Sequence, residues 1–178
     1  MKNKKLLRLI LKELKKINDF NDNVIEKETI IATNETLKDI IRKEIKKYGN
    51  NADLNHIDVS QVTDMCYMFS HSQFNGNIRD WNVSSVTNMC YMFYRSDFNG
   101  NIRDWNVSEV TDMDGMFYDS QFDDDISKWN VSNVADMHRM FSYSQFNGYI
   151  PKWDVSNVTD MSYMFYHSKM QNIPDWCK

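Results

Sequence analysis

Hydrophobic residues recur with a period of 24 positions over the last two thirds of the chain. Each unit carries a Met-x-x-Met-Phe box three residues after a valine, and it ends in a tryptophan. Five such units follow one another, and the last tryptophan comes one residue early. The boxes begin at Met65, Met89, Met113, Met137 and Met161, and the tryptophans are Trp81, Trp105, Trp129, Trp153 and Trp176. Five boxes in phase indicate a structural repeat.

Within one unit, the pattern predicts a short helix followed by a short strand. In the second unit, Val86, Met89 and Met92 share one face at helical spacing. Ile102 and Trp105 lie in the extended stretch that follows an Asn-Gly turn. A single unit of this size cannot bury its apolar face, whereas stacked units can. We therefore predict an α/β repeat solenoid, a short rod of five 24-residue helix–strand units.

Two amphipathic helices are predicted ahead of the repeats, over residues 4–18 and residues 35–48. Thr33 or Asn34 can cap the start of the second helix, and Gly49 follows at its C-terminal cap position. The first helix is basic. Three roles stay open for it: packing on its own domain, docking on a membrane surface, or pairing with a partner helix.

The charge distribution divides the chain in two. Residues 1–52 carry 13 Lys and Arg against 8 Asp and Glu, whereas residues 53–178 carry 8 against 17. Such an asymmetry is typical of two segments with different roles. We predict a helical N-terminal cap over residues 1–52 and a five-unit repeat domain over residues 53–178, with the helices covering the open end of the first unit.

The composition is that of a globular domain, with 42% hydrophobic and 26% charged residues. No run approaches the roughly 18 apolar residues of a membrane span. Arg8 and Lys12 interrupt the apolar residues near the N-terminus, so no signal peptide is predicted. We expect a cytoplasmic protein, with the cell surface as the alternative location.

The three cysteines do not form a disulfide framework, and their number favours a reducing compartment. Cys66 and Cys90 are equivalent residues of adjacent units, which leaves a bridge open to them. Free thiols are nevertheless the expectation.

Residues with catalytic chemistry do not converge in this sequence. The four histidines are scattered, and neither a Gly-rich phosphate loop nor a Cys-x-x-Cys pair is present. The methionine boxes fit a flexible, repetitive core better than a metal or haem site. We predict that the protein is not an enzyme and that it uses no cofactor and no metal.

The third unit is unusually acidic, and Asp123-Asp124 replaces the Asn-Gly turn of three other units. Three interpretations stay open: a calcium site, a solvated acidic turn, or a docking patch for a basic partner. The predicted acidic patch consists of Asp119, Asp123, Asp124 and Asp125.

Residues predicted to face away from the core are rich in Tyr and Arg, the types that dominate binding hot spots. On one face the predicted partner-binding residues are Tyr67, Tyr91, Arg95, Tyr163, His71 and Tyr143. Beside the predicted strands, a second set consists of Arg79, Arg103 and Tyr149.

The unit Trp-Asn-Val-Ser-Ser-Val-Thr-Asn-Met-Cys-Tyr-Met-Phe at residues 81–93 resembles the BspA-like leucine-rich repeat proteins of bacteria, of the kind first noted in mycoplasmas. The lead-in segments at residues 35–41 and 51–58 are similar to the start of short family members, so that the resemblance covers residues 33–178. It implies a right-handed, leucine-rich-repeat-like rod with a binding role. Members that carry signal peptides or lipid anchors are surface adhesins, and the family supplies no catalytic motif.

Together these features predict a non-enzymatic protein–protein interaction module that binds and modulates or inhibits a partner protein inside a bacterial cell. A cell-surface adhesin is one alternative. The other is a phage-type counter-defence protein that inhibits a nucleic-acid enzyme through an acidic surface. The sequence leaves the partner unidentified, with a basic surface as one option, and the negative repeat domain argues against direct binding of nucleic acid.

Overall fold

The computed structural model describes residue 12, residues 27–150 and residues 152–177. The predicted helix over residues 4–18 lies outside the described residues, apart from Lys12. Regular secondary structure is sparse in the described part of the chain. It consists of strand β1 (Ile30–Ile31), helix α1 (Leu37–Tyr48), strand β2 (Ile57–Asp58) and a 3-10 turn (Asp175–Cys177). The two short strands pair in parallel.

The prediction of an α/β solenoid of five helix–strand units is wrong, and the leucine-rich-repeat architecture is wrong with it. Each Met-x-x-Met-Phe box is a succession of turns and contains no helix. The stretches predicted as strands contain none; between Ile102 and Trp105, for example, the chain turns, and the Trp105 N–H donates to the Ile102 carbonyl at 3.2 Å. In the described ranges, the regular elements are one α-helix, one two-stranded sheet and one 3-10 turn.

Left-handed backbone conformations explain why the boxes are not helical. Two positions of every unit, four residues apart, have φ values between 51° and 58°. An L-residue in this region costs about 1–2 kcal/mol and cannot continue a right-handed helix. The ten positions are Tyr67 and His71, Tyr91 and Arg95, Gly115 and Asp119, Arg139 and Tyr143, and Tyr163 and His167.

Backbone N–H groups in each box alternate between a local partner and the following unit. In the first unit, the N–H groups of Met68 and Ser70 donate three residues back, at 3.2 and 3.3 Å. Four other N–H groups, at every second residue, donate to carbonyl oxygens 23 residues ahead, at 2.8–3.0 Å; these donors are Met65, Tyr67, Phe69 and His71. The same set of four bonds crosses every junction between consecutive units. Each unit therefore completes its hydrogen bonding on its neighbour.

Side chains of equivalent residues stack along this series of units. The rings of Phe93 and Phe117 lie 5.5 Å apart with planes within 5°, and those of Trp81 and Trp105 lie 6.5 Å apart with planes within 5°. The buried indole N–H of Trp105 donates to the Ile78 carbonyl at 3.2 Å, and the other unit-closing tryptophans make the same bond 26 or 27 residues back. Because each indole has a partner, burial of its N–H is not penalised.

The inward positions of the predicted pattern are buried even though the helix is absent. Val86, Met89 and Met92 are fully inaccessible to solvent. Apolar positions spaced by three residues therefore identified the core correctly, because the successive turns return the chain to the core at nearly the spacing of a helix.

Helix α1 begins two residues later than predicted and ends where predicted. Gly49 has a φ of 87°, and its N–H donates to the Ile45 carbonyl at 2.8 Å, which confirms the glycine cap. Leu37 and Ile41 are buried in the same cluster as the first unit. Tyr48, the last residue of α1, is 44% exposed.

Polar contacts attach this N-terminal region to the first unit. The Asn34 side chain, expected at the start of α1, instead accepts from the Thr63 N–H at 2.9 Å and donates to the Thr63 hydroxyl at 2.9 Å. Nearby, His56 Nε2 lies 3.0 Å from Glu44 Oε2 in a largely buried pair.

Substitution at a left-handed position gives a direct test of this backbone. Arg139→Gly should be more stable than Arg139→Ala by about 1 kcal/mol, because glycine has no Cβ to clash at positive φ. In a right-handed helix the order would be reversed by about the same amount. Urea unfolding of the two variants measures the difference in the free energy of unfolding.

Lys43 provides the matched control because it is exposed and lies within α1. There, the alanine variant should be the more stable one. A finding that alanine exceeds glycine at both positions would contradict the left-handed assignment of Arg139.

Candidate protein-interaction surface

Seven tyrosines form a continuous series of ring contacts that we call the tyrosine stripe. Neighbouring ring centroids in the series lie 4.9–5.7 Å apart. Tyr67 stacks on Tyr91 with ring planes within 7°, and Tyr94 stacks on Tyr118 within 26°. In order of contact, the stripe consists of Tyr67, Tyr91, Tyr94, Tyr118, Tyr143, Tyr166 and Tyr163.

Cationic and imidazole side chains lie along the stripe. The guanidinium of Arg95 is 5.5 Å from the ring centroid of Tyr94, within the range of a cation–π contact. Arg139 makes the same kind of contact with Tyr163 at 5.6 Å. The His71 ring lies edge-on to Tyr94, with centroids 5.0 Å apart.

Three columns of equivalent residues contribute to this surface, although two of their members, Gly115 and Ser142, are buried. The first column is Tyr67, Tyr91, Gly115, Arg139 and Tyr163. The second column, four residues further along each unit, is His71, Arg95, Asp119, Tyr143 and His167. The middle column, between these two in sequence, is Ser70, Tyr94, Tyr118, Ser142 and Tyr166. The first and second columns coincide with the left-handed positions, so the conformation that prevents a helix also directs these side chains away from the core.

The stripe is exposed at its two ends and half-buried between them, at Tyr91, Tyr94 and Tyr118. Tyr163 is 59% exposed and Tyr67 is 46% exposed, and Tyr166 and Tyr143 have similar values of 47% and 44%. Gly115 has a role in this packing, since a Cβ at its position would meet the ring of Tyr91. Three of the exposed tyrosines, Tyr143, Tyr163 and Tyr166, are grouped at one end, and exposed apolar groups of this kind are typical of binding sites.

A polar network lies behind the stripe at Tyr91. Asp114 Oδ1 is 3.2 Å from His138 Nδ1, and the Tyr91 hydroxyl also hydrogen-bonds to Asp114. Burial raises the pKa of Tyr91, and the hydrogen bond to the Asp114 carboxylate raises it further. The Tyr91 hydroxyl is therefore a neutral donor throughout the physiological range.

Of the residues predicted to bind a partner, one set lies together in or beside the stripe. This set is Tyr67, Tyr91, Arg95, Tyr163, His71 and Tyr143. Sequence reasoning missed Tyr94, Tyr118 and Tyr166, because a helical arrangement does not place the middle column between the other two. Their recurrence three residues after the first column was the signal that could have revealed them.

The second predicted set lies elsewhere and is partly neutralised. Arg79 pairs with Asp104 at 3.6 Å, and Arg103 pairs with Asp124 at 3.2 Å. Tyr149 is 75% exposed and lines a cleft together with the aspartates of the third unit.

The predicted acidic patch is divided between two sites. Asp119 pairs with Arg95 at 3.0 Å beside the stripe. The residues Asp123, Asp124 and Asp125 line the cleft next to Tyr149 instead. Among the described residues, no group of three or more His, Cys, Asp or Glu side chains is arranged to hold a metal ion.

The expectation of free thiols at Cys66 and Cys90 is wrong, because the two residues form a disulfide with a Cα–Cα separation of 4.8 Å. Each cysteine immediately precedes a tyrosine of the stacked pair Tyr67–Tyr91. The bridge therefore fixes the spacing of the first two units beside the most parallel tyrosine pair of the stripe. A loop of 24 residues closed in this way is worth about 3 kcal/mol in the chain-entropy model.

Four aspartates and one asparagine at equivalent positions of the five units form a ladder that connects neighbouring units outside the stripe. Parallel bridges join Asp64, Asn88, Asp112, Asp136 and Asp160 in succession. Each side-chain Oδ1 accepts from the N–H two residues ahead, as in an Asx turn. Burial raises the pKa of Asp112, and neighbouring aspartates add to this effect. Its hydrogen bond to the Asp114 N–H acts in the opposite direction.

A family model described as "Mycoplasma protein of unknown function, DUF285" matches residues 35–144 and residues 96–177. The chain belongs to this family. The narrower BspA-like resemblance is not confirmed by the DUF285 matches. No curated protein and no solved structure matches the chain significantly. In the described part of this DUF285 protein, no helix is long and apolar enough to cross a membrane.

Replacement of Asp112 by Asn should stabilise the protein at neutral pH. The folded state raises the pKa of Asp112 above its unfolded value, so the folded protein binds more protons and loses stability as the pH rises through that range. Asn keeps the Oδ1 acceptor without the charge, as Asn88 does in the second unit. Thermal unfolding should show a higher Tm for Asp112→Asn at pH 7 and a smaller difference at pH 3.

Asp160→Asn is the matched control from the same ladder. Hydrogen bonds from Ser162 lower the pKa of Asp160, so its charged form favours the folded state above its unfolded pKa. This variant should not raise the Tm at pH 7. Equal stabilisation by both substitutions would show that burial of the Asp112 charge is not the cause.

Proposed function

We propose that this protein is a non-enzymatic protein-binding module whose contact surface is the tyrosine stripe. One observation carries the proposal: seven tyrosines form an unbroken series of ring contacts across five units, and four of them are 44–59% exposed. A polar surface that only contacts water does not require tyrosine rings in contact with one another.

The stripe has the properties of a preorganised contact surface. Tyrosine offers a large contact area with only two side-chain torsions, and ring packing between units already restricts those torsions. Little side-chain entropy therefore remains to be lost on binding. Arg95 and Arg139 add cationic groups that a partner can contact through carboxylates or carbonyl oxygens.

Ring stacking also indicates which partner chemistry the stripe favours. In the pairs Tyr67–Tyr91 and Tyr94–Tyr118, the facing ring surfaces cover each other. A partner therefore meets mainly ring edges and hydroxyl groups, which suit hydrogen bonding to polypeptide groups. Nucleic acid bases, in contrast, stack on open ring faces.

The family supports a mycoplasma-type protein, and we propose the closer BspA-like kinship on the Val-Thr-Asn-Met-x-x-Met-Phe motif of residues 86–93. A cell-surface adhesin is the second candidate function. The Cys66–Cys90 disulfide favours it, since disulfides persist in oxidising locations. Protease treatment of intact cells, followed by detection of the protein, separates a surface location from a cytoplasmic one.

Inhibition of a nucleic-acid enzyme through an acidic surface receives less support. Three aspartates that could contribute to such a surface, Asp104, Asp119 and Asp124, are each paired with an arginine. Neutralised carboxylates imitate a row of phosphates poorly.

The double variant Tyr94→Ala, Tyr166→Ala tests the proposed surface. Both residues belong to the stripe and have ordinary backbone conformations, so alanine adds no strain. Proteins captured from an extract of the producing bacterium should bind at least about tenfold more weakly, a loss of roughly 1.4 kcal/mol. Capture on immobilised wild type and variant, with quantitative mass spectrometry, provides the measurement.

Tyr149→Ala is the matched control, because this tyrosine is exposed but lies outside the stripe. It should leave capture unchanged, and circular dichroism should show that all variants are folded. Loss of capture with Tyr149→Ala and normal capture with the stripe variant would place the contact surface on the other side of the protein.

A further inference from the structure

The fifth unit leaves one of its two faces open. We call the face of a unit that is turned toward the preceding unit its upstream face, and the opposite one its downstream face. In the fourth unit, four core side chains are 0% exposed; they are Val134, Met137, Phe141 and Phe146. Their counterparts in the fifth unit are only partly buried; they are Val158, Met161, Phe165 and Met170. Together with Ile173, which is 43% exposed, Met161 and Phe165 line an apolar cavity of about 320 Å³ at this end of the stack.

The backbone of this downstream face carries hydrogen-bonding groups without partners among the described residues. In the fourth unit, four N–H groups donate to the fifth unit; they belong to Met137, Arg139, Phe141 and Tyr143. No described residue accepts from their counterparts, which are the N–H groups of Met161, Tyr163, Phe165 and His167. The carbonyl oxygens of Thr159 and Ser168 likewise have no donor in the described ranges, whereas their counterparts in the fourth unit accept from the fifth unit at 2.8 and 3.1 Å. The open face therefore presents four donors between two acceptors.

The upstream face of the first unit, in contrast, is closed. The side-chain oxygen of Asn34 accepts from the N–H groups of Thr63 and Asp64 at 2.9 and 3.2 Å. At the next junction, the Thr63 carbonyl accepts from the two equivalent N–H groups of the second unit at 2.9 and 3.3 Å. Asn34 therefore stands where a preceding unit would place its carbonyl, and α1 packs on the same core cluster as the first unit.

These two ends limit what can cover the open face. A second copy could place its first unit there only if Asn34 and α1 moved away. Two fifth units that met face to face would set N–H groups opposite N–H groups, which cannot pair. The missing complement is the upstream face of an uncapped unit, because that face supplies the four acceptor carbonyls at every junction within this chain. It also covers the core side chains of the unit before it.

We propose that the downstream face of the fifth unit binds a repeat unit of the same kind, carried by a different DUF285-type chain whose first unit has no cap. The bound unit forms a sixth level and continues the interface that already joins the five units. Main-chain bonds set its register and the cavity takes an apolar side chain, as when a strand adds to an exposed edge. This inference goes beyond the proposed function, since only Tyr163 and Tyr166 of the stripe also line the cavity.

A matched pair of lysine variants tests whether the face is open. Met137 and Met161 occupy the same position of adjacent units, but only Met161 is partly exposed. Met137→Lys buries an ammonium group without a partner and should lower the Tm by at least about 10 °C. Met161→Lys should lower it by less than about 3 °C, because the ammonium group can reach solvent. An equal loss of Tm in the two variants would show that the face is covered and would overturn the inference.

A synthetic peptide of residues 154–176 tests the complement, because this sequence supplies the carbonyl oxygens to which the fourth unit donates. In the full chain alone, the amides of Met161, Tyr163, Phe165 and His167 should exchange with deuterium at least about tenfold faster, relative to their intrinsic rates, than the equivalent amides of the fourth unit. The peptide at about 1 mM should slow these four amides about threefold, which corresponds to a Kd of about 0.5 mM.

The control peptide carries Met164→Asp, since Met164 is buried in the stack. It should leave the exchange rates unchanged. Absence of slowing with the native peptide, or equal slowing with both peptides, overturns the inference.

Capture from an extract of the producing bacterium tests the class of partner. Proteins that the immobilised wild type retains, and that Met161→Lys retains at least about tenfold less, should carry Met-x-x-Met-Phe repeats when identified by mass spectrometry. Tyr94→Ala alters the stripe away from this end and should leave their capture unchanged. Captured proteins without the repeat, or capture of the chain itself alone, overturn the inference. Capture that is lost only with Tyr94→Ala overturns it too, but leaves the proposed function in place.

Discussion

Hydrogen bonds that each unit donates to the next one are the interaction on which this structure depends. At every junction, four N–H groups of one unit donate to carbonyl oxygens 23 residues ahead at 2.8–3.0 Å. Two left-handed residues in each unit turn the chain so that these N–H groups point along the stack. Their conformational cost, about 1–2 kcal/mol for each non-glycine residue, is offset only while the neighbouring unit is present to accept the bonds and to stack its rings.

The same constraint creates the surface. A left-handed residue carries its side chain outward, and the repeat places the equivalent residue of the next unit beside it, as in Tyr67 and Tyr91, whose ring centroids are 4.9 Å apart. Where tyrosines occupy these positions, they are brought into ring contact by the backbone itself. The contact between Tyr67 and Tyr91 is therefore a direct product of the way the units hydrogen-bond, and the disulfide of Cys66 and Cys90 reinforces its spacing.

The sequence predicted the parts of this arrangement that depend on burial. Val86, Met89 and Met92 are in the core, Gly49 caps α1, and Tyr67 and Arg95 are exposed next to a half-buried Tyr91. It did not predict the conformation, because Met-x-x-Met spacing fits a helix as well as a run of turns. Tyr91 and Arg95 are not residue types that signal positive φ, since glycine and asparagine usually occupy such positions. Because a helix was assumed, Tyr94 and Tyr118 were not recognised as neighbours of the other tyrosines. Free thiols were expected because the 24-residue spacing alone does not show which residues of adjacent units lie side by side.

The stacking of the units also affects the chemical stability of the asparagine side chains. Asn-Gly dipeptides are prone to deamidation, in which the glycine nitrogen attacks the asparagine side-chain carbonyl to form a cyclic imide. Here the side-chain oxygens of Asn75, Asn99 and Asn147 each accept an N–H from the following unit at 2.8–2.9 Å. Each unit thus restrains the reactive amide of the one before it. Loss of the last unit would release Asn147 first, so chemical damage would proceed along the stack in the order in which the units come apart.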